Sequence, residues 1–240
     1  MPVDLRGVSV VLLPGTGSDD DYVSRAFSEP LGAEGATLLT PAPRPGRLIA
    51  GYLAALDEAA DGAGARKIAV GGVSIGAAVA TAWALAHPGR TVAVLAALPA
   101  WTGAPGSAPA AVSARYTAAQ LRRDGLAATT AQMRASSPPW LADELARSWR
   151  IQWPQLPDAM DEAAAYVAPS REELSRLGVP LGVACALDDA IHPAQIGADW
   201  VDAAPRAALR TVTLDQMGAD HAALGAACVA ALAEAERQNR

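Results

Sequence analysis

The sequence predicts an α/β fold in which helices flank a mostly parallel central sheet. Short apolar runs alternate with longer segments of helical periodicity, a pattern typical of β-α-β units. The chain has 240 residues, of which 51% are hydrophobic. That is enough to bury one α/β core without a metal or a disulfide. The alternation breaks once, over residues 102–178, which indicates a single core carrying an insertion.

The first half of the chain supplies four of the predicted strands. They cover residues 8–13, 36–40, 67–73 and 91–98. A helix is expected from Ser18-Asp19-Asp20-Asp21, which offers capping oxygens and a negative first turn, through Phe27. Further helices are expected over 47–60 and 75–87, because their apolar residues recur at helical spacing.

Residues 102–178 contain helical pieces separated by prolines and no convincing strand. We interpret this segment as a helical cap, and residues 1–101 and 179–240 as the core domain. In the second half of the core, strands are expected over 179–187 and 209–214, and helices over 193–203 and 222–236.

Composition excludes several classes of function. The net charge is −6 and no Lys/Arg cluster forms a stripe, which argues against nucleic acid as a partner. The N-terminal apolar run is too short for a signal peptide or a membrane span, so a cytoplasmic protein is expected. No phosphate loop or zinc spacing occurs, and the run of aspartates at 19–21 is interpreted as caps, so we expect no cofactor and no metal. The two cysteines are expected to be buried free thiols.

A candidate nucleophile, Ser74, lies in the segment Gly72-Val73-Ser74-Ile75-Gly76. A serine on a sharp strand-to-helix turn has a strained backbone, so the residues two positions away must be small. Here an apolar strand is predicted to end at Val73 and a helix to begin at Ile75. The alternative is an ordinary turn in which Ser74 caps the helix.

A nucleophilic serine needs a base, and the chain has three histidines. His87 ends the predicted helix after Ser74 and points away from it. His192 and His221 both follow predicted strands, at the edge where the site is expected. We expect His221 to be the base, because His192 would have to fold back on its own turn, which Pro193 stiffens.

The acid that orients the base is expected at Asp188 or Asp189, directly after the predicted strand 179–187. The other suitable position, after 91–98, is closed because no Asp or Glu occurs between Arg90 and Asp124. Adjacent residues at a strand end point in opposite directions, so only one of the two aspartates can face the histidine.

Together these motifs resemble the α/β-hydrolase family over residues 8–101 and 179–236. The motifs are Pro14-Gly15-Thr16-Gly17, the segment around Ser74, residues 186–193 and the terminal Gly218-Ala219-Asp220-His221. The resemblance implies a catalytic triad in the order Ser74, Asp189, His221. It favours Asp189 over Asp188, since in many members the acid lies four residues before a proline, here Pro193. It also implies an oxyanion hole from the backbone N–H groups of Thr16 and Ile75, although the usual His-Gly of the first turn is Pro14-Gly15 here.

We therefore expect a serine hydrolase that cleaves esters of small or medium apolar acids. The aromatic residues expected to contact the substrate are Trp101, Trp140, Trp149 and Trp153. The same machinery acting on acyl-carrier or acyl-CoA thioesters is the first alternative, with an acyl-carrier protein as partner. A non-hydrolytic protein of the same fold, used for ligand binding or for a lyase or cyclase step, is the second. The protein is expected to be a monomer or a homodimer.

Overall fold

The computed structural model describes residues 4–237 and contains one six-stranded sheet. All strand pairs are parallel, in the order β2-β1-β3-β4-β5-β6. The strands are β1 (Ser9–Leu13), β2 (Thr37–Leu39), β3 (Ile68–Val73), β4 (Thr91–Ala97), β5 (Leu181–Ala186) and β6 (Ala207–Val212). Every residue of β3 and β5 is buried, as expected for central strands covered on both faces.

The helices connect the strands and cover both faces of the sheet. Their bounds are α1 (Asp20–Ala33), α2 (Leu48–Gly62), α3 (Ile75–Ala86), α4 (Pro109–Ser136), α5 (Pro139–Gln152), α6 (Leu156–Ala165), α7 (Arg171–Leu174), α8 (Ala194–Ala203), α9 (Leu214–Ala219) and α10 (Ala223–Arg237). A 3₁₀ turn, Pro45–Arg47, precedes α2. None of the helices within residues 4–237 is both long enough and apolar enough to span a membrane.

Two hydrophobic cores lie on opposite faces of the sheet. Helices α2, α3 and α8 bury one face, where Tyr52, Trp83 and Trp200 are the large side chains. Helices α1 and α10 bury the other, where Phe27 packs near the buried thiol of Cys228. Cys185 is also free and buried. The sheet is therefore covered by packed helices on both faces, as expected for an α/β fold.

The carboxyl ends of the strands meet at one edge of the sheet. Leu13 of β1 pairs with Gly72 of β3, and Val73 pairs with Ala97 of β4. In open parallel sheets the loops after these ends form the binding crevice. The loops after β1, β3, β5 and β6 therefore lie close together.

Between β4 and β5, residues 102–178 form helices α4 to α7 and no strand. A small apolar cluster of their own holds three of these helices together, with Leu121, Trp149, Leu156 and Met160 at its centre. This is the segment predicted to be a cap, and its domain boundaries remain a prediction.

The predicted strands, and the helices other than the first, lie within two residues of the observed bounds. The first helix extends past Phe27 and through Pro30 to Ala33. The prediction also missed α9, which follows β6 directly. Thr213 and Gln216 form a capping box in which each side chain bonds to the other's backbone N–H, and this starts a helix where a loop was expected.

Candidate active site

Ser74 occupies a strained turn between β3 and α3. Its φ and ψ are 55° and −117°, in a region that non-glycine residues rarely adopt. Its backbone N–H donates to the carbonyl oxygen of Ala97 at 2.9 Å, and its side chain makes no capping hydrogen bond to α3. The structure therefore differs from the simple helix-capping alternative, because the hydroxyl is free to interact elsewhere.

The glycines around Ser74 are required by close packing of backbones. A Cβ atom on either Gly72 or Gly76 would collide with the carbonyl oxygen of Leu13 at the end of β1. Because β1 and the start of α3 both press against the turn, only glycine fits at these two positions. This packing holds the Ser74 hydroxyl at the carboxyl edge of the sheet.

The histidine beside Ser74 is His192, in the loop after β5. Its Nε2 lies 3.0 Å from Ser74 Oγ, and its Nδ1 lies 2.8 Å from Asp189 Oδ2. The other oxygen of Asp189 accepts the backbone N–H groups of Ile191 at 2.8 Å and of His192 at 3.2 Å. The loop thus folds back on itself around the carboxylate and aims the imidazole at the serine.

The carboxyl group of Asp189 is held in its ionised form. Burial alone would raise its pKa, but the hydrogen bond and charge of His192, with the two backbone N–H groups, lower the pKa below its usual value. An ionised carboxylate at Nδ1 fixes the proton on that nitrogen, so Nε2 is the one free to accept a proton from Ser74.

The placement expected for His221 is wrong. Its ring is exposed to solvent, and its Nδ1 lies 3.5 Å from Nη1 of Arg25 rather than beside Ser74. The physical reason is α9, which takes up the chain between β6 and His221. Pro193 does not prevent this geometry: it stands at the N-cap position of α8, and the turn before it folds back around Asp189.

The remaining acid and base candidates have other partners. Asp188 Oδ1 accepts the backbone N–H of Leu214 at 2.8 Å, so it caps the start of α9. Only one of the two aspartates faces the histidine, and it is Asp189. The ring of His87 stacks on Trp83, with Nδ1 2.9 Å from the Trp83 carbonyl oxygen.

Comparison with known proteins identifies the architecture. No protein-family model and no curated protein matches the chain. Solved structures match at low identity over most of its length. A hydrolase from Oleispira antarctica has a TM-score of 0.67 at 14% identity, covering 87% of this chain and 84% of that one. An esterase from a Rhodococcus species has a TM-score of 0.66 at 16% identity, and the match covers 97% of this chain and 90% of the esterase. An enol-lactonase from Burkholderia xenovorans has a TM-score of 0.65 at 19% identity, and the match covers 88% of this chain and 84% of the lactonase.

The chain has the α/β-hydrolase fold. At these identities the likeness shows the architecture alone, and the chemistry has to be argued from the side chains at the sheet edge.

In this α/β-hydrolase fold, the turn after β1 lies directly against Ser74. A Cβ atom on Gly15 would be 3.4 Å from Ser74 Cβ, so Thr16, the next residue, is at the serine's side. The N–H of Ile75 belongs to the first turn of α3, where no earlier helical carbonyl is available to it. Thr16 and Ile75 therefore flank Ser74, and the oxyanion hole formed by their N–H groups stays a prediction.

A buried tyrosine supports the Pro14-Gly15 turn. Tyr52, which is 1% exposed, donates its hydroxyl to the Pro14 carbonyl oxygen at 3.0 Å. Burial raises its pKa, so it remains a donor. This hydrogen bond holds the turn that carries Thr16, at the place where the sequence lacks the family's usual His-Gly. Nothing in the local sequence around Tyr52 indicated this contact.

A cavity of about 410 Å³ opens from Ser74 under the cap. Trp101, Trp140 and Trp149 line it, as expected for residues that contact a substrate. Trp153 was also expected there, but it follows the last residue of α5, is 38% exposed and does not line the cavity. Because α5 ends at Gln152, Trp153 does not share the helix face of Trp149.

A network of charged side chains joins the cap to the core beside the cavity. Arg147 of α5 donates to both oxygens of Asp19, at 2.8 and 3.1 Å, and to Glu144 at 2.7 Å. Arg25 of α1 donates to the same Glu144 oxygen at 2.6 Å. Asp19, which is 4% exposed, also caps α1 by accepting the N–H of Tyr22. The capping role was predictable from sequence, whereas a partner 128 residues away was not.

Tyr22 is another cavity residue that sequence reasoning missed. It lines the cavity together with Ser74, Asp189 and His192. Burial, with the negative charges of Glu144 and Asp189, raises its pKa, so the phenol stays protonated. It adds a neutral aromatic side chain to the wall next to the candidate triad.

Proposed function

We propose that this protein is a serine hydrolase that cleaves carboxylic esters of uncharged, small or medium apolar acyl groups. The observation that carries the proposal is the chain of contacts from Ser74 through His192 to Asp189, at 3.0 and 2.8 Å. Distances of this kind between nucleophile, base and orienting acid define a catalytic triad by geometry rather than by position in the sequence.

In the proposed reaction, Ser74 Oγ attacks the ester carbonyl carbon while His192 Nε2 takes its proton. The protonated imidazole then gives that proton to the leaving alcohol, which leaves an acyl group on Ser74. A water molecule, activated in turn by His192, attacks the acyl-enzyme and releases the acid. Asp189 holds the imidazole in its orientation throughout and stabilises its positive charge.

The negative oxygen that forms in each step is assigned to the N–H groups of Thr16 and Ile75. Ile75 lies at the N-terminus of α3, where the helix dipole also favours negative charge. Removing one such donor costs about 2.7–4 kcal/mol in enzymes where this has been measured. The bond from Tyr52 to Pro14 supports this assignment, because it fixes the turn that carries Thr16.

The charges along the cavity disfavour an anionic substrate. Within residues 4–237 no Lys or Arg lines it, and its charged members are the carboxylates of Asp19, Glu144 and Asp189. Acyl-CoA and carrier-bound thioesters bring phosphate groups to the entrance, so this lining favours simple esters over that alternative. An acyl-carrier partner and the oligomeric state remain predictions.

The test is covalent labelling with a fluorophosphonate probe at neutral pH. We expect the wild-type protein to be labelled, and the label to be lost in Ser74→Ala. Ser28→Ala is the matched control, since Ser28 is exposed on α1 and should label like the wild type. Wild-type protein that takes no label would contradict the proposal, as would Ser74→Ala that still does.

The substrate class is tested by comparing p-nitrophenyl esters with acyl-CoA thioesters of the same acyl chain. We expect kcat/KM to be higher for the esters. Faster hydrolysis of the thioesters would instead favour the thioesterase alternative.

A further inference from the structure

Helix α4 is bent into two halves that lie against each other beside the cavity. Gly125 interrupts it with φ 78° and ψ 171°, a backbone conformation that favours glycine. Gln120 and Gln132 stand on opposite sides of this bend, and their side-chain amides are hydrogen-bonded at 2.5 Å. In a straight helix, residues twelve apart would be about 18 Å from each other. The bend therefore brings two amides together on the cap wall.

Gln120 is a buried polar side chain with one polar atom left open. The residue is 5% exposed, and it lines the cavity together with Gln132 and Thr129. Its Nε2 donates to Gln132 Oε1 and, at 3.3 Å, to the hydroxyl of Tyr116, which uses both amide hydrogens. Within residues 4–237 no donor bonds to its Oε1, and that oxygen is not among the fully enclosed unpartnered atoms. Because Gln120 lines the cavity, this free amide oxygen belongs to a side chain of the cavity wall.

The open atom calls for a neutral hydrogen-bonding partner. If both amides were turned over together, the open group of Gln120 would be an N–H donor instead of an oxygen acceptor. A hydroxyl group both donates and accepts, so it satisfies either orientation. An anion is disfavoured, because no Lys or Arg within the described chain lines the cavity to pair with it. A cation is disfavoured because the carboxylates of Asp19 and Glu144 are already bonded to arginines, and a lone buried charge is costly.

The rest of this wall is mixed in the same way. The hydroxyl of Thr129 is already bonded to the Gly125 carbonyl oxygen at 2.9 Å, so it adds no open group of its own. Ala114 and Met133 supply apolar surface beside the amide. A buried amide with apolar side chains beside it is suited to recognise one polar group at a fixed place along an aliphatic chain.

We infer that Gln120 and Gln132 form a subsite under the cap that binds a hydroxyl group carried by the aliphatic part of the substrate. This inference rests on the proposed function and deepens it, since it makes the substrate class a hydroxylated rather than a plain aliphatic ester. An analogue without the hydroxyl would leave the Gln120 amide unpartnered on binding, which is the source of discrimination in sites of this kind.

The experiment compares pairs of p-nitrophenyl esters of increasing chain length. In each pair one acyl chain ends in a hydroxyl group and the other in a methyl group at the same position. We expect the wild type to prefer the hydroxyl member in kcat/KM by about tenfold or more at one chain length. Gln120→Leu should abolish or reverse that preference. Gln155→Leu, at an exposed position whose side chain makes no capping bond, is the matched control and should keep it.

Two further measurements keep the inference falsifiable. Gln120→Met fills the same space with an unbranched apolar side chain, should Gln120→Leu not fold. Binding of an ω-hydroxyalkyl methyl ketone and of its alkyl counterpart, measured by calorimetry, makes the same comparison without turnover. Equal ratios in the wild type and in both Gln120 variants, at every chain length, would overturn the subsite.

Failure of the subsite and failure of the proposed function have different results. Fluorophosphonate labelling of Ser74 does not depend on Gln120. A protein that is labelled but shows no preference for the hydroxylated ester would therefore contradict only the subsite. A protein that is not labelled but still binds the hydroxylated ketone more tightly would contradict the hydrolase proposal and support the subsite.

Discussion

The loops after β5 and β6 each carry a histidine at the same edge of the sheet, yet the structure uses them differently. The loop after β5 wraps around Asp189 and presents His192 to Ser74. One oxygen of Asp189 accepts two of the loop's own backbone N–H groups. The chain after β6 instead forms α9, and His221 ends up exposed beside Arg25. The two histidines have comparable positions relative to their strands and very different surroundings.

This difference shows that local hydrogen bonding, rather than topology, decides which histidine lies beside Ser74. Topology brings both loops to the crevice. Three hydrogen bonds to one carboxylate then stiffen the loop after β5, and the capping box at Thr213 converts the start of the other loop into a helix. Asp188 and Asp189 divide these tasks, since Asp188 caps α9 while Asp189 holds His192.

The largest difference is expected between the two aspartates. Asp189→Asn should reduce kcat/KM by about 10⁴-fold, the loss found when the orienting aspartate of a serine triad is made neutral. Asp188→Asn should change kcat/KM less than about threefold, because its carboxylate accepts the N–H of Leu214 at the start of α9 and does not hold His192. Steady-state kinetics on one ester, with circular dichroism as a check of folding, measures both. Comparable losses of kcat/KM in the two variants would contradict the different roles assigned to Asp188 and Asp189.

A smaller effect is expected beside His221, where Arg25 and Arg147 meet Glu144. Burial would raise the pKa of Glu144, but its hydrogen bonds to the two arginines lower the pKa below its usual value. A lowered carboxyl pKa contributes stability at neutral pH, and that contribution is lost as the pH falls below the unfolded value of about 4.3. Glu144→Gln should thus lower the Tm at pH 7, by the equivalent of about 1 kcal/mol or less for a partly exposed pair. The difference should shrink as the pH is lowered toward about 3.5.

Thermal unfolding of the wild type and Glu144→Gln at several pH values makes this measurement. Glu172→Gln is the matched control, since Glu172 forms an ion pair with Arg176 that is exposed on both sides. We expect Glu172→Gln to change the Tm only slightly at neutral pH. A Tm difference for Glu144→Gln that grows on acidification would contradict the assigned direction of the pKa shift.

Much of the fold was predictable because it depends on local patterns. Apolar runs located the strands, and the Gly72-Val73-Ser74-Ile75-Gly76 segment indicated the turn at Ser74, where the glycines are required by contact with Leu13. Asp189 was chosen over Asp188 from its spacing to Pro193, and the contact with His192 agrees with that choice.

The parts that were not predictable depend on contacts between distant residues. His192 was the weaker candidate because nothing in the sequence shows that Asp189 accepts the N–H groups of its own loop. Tyr52 lies 38 residues from the Pro14 carbonyl that it holds, and Arg147 lies 128 residues from Asp19. The bend that brings Gln120 to Gln132 occurs at Gly125. The chain has 21 glycines, and nothing in the sequence marks this one as the site of a bend.

The most direct test is to measure kcat/KM for His192→Ala and His221→Ala on the same ester, with folding confirmed for both. The account predicts a loss of about 10⁴- to 10⁶-fold for His192→Ala, since members of a triad act as a unit. It predicts a change of less than about threefold for His221→Ala, whose ring is exposed beside Arg25. A collapse of activity in His221→Ala, with His192→Ala nearly as active as the wild type, would contradict it.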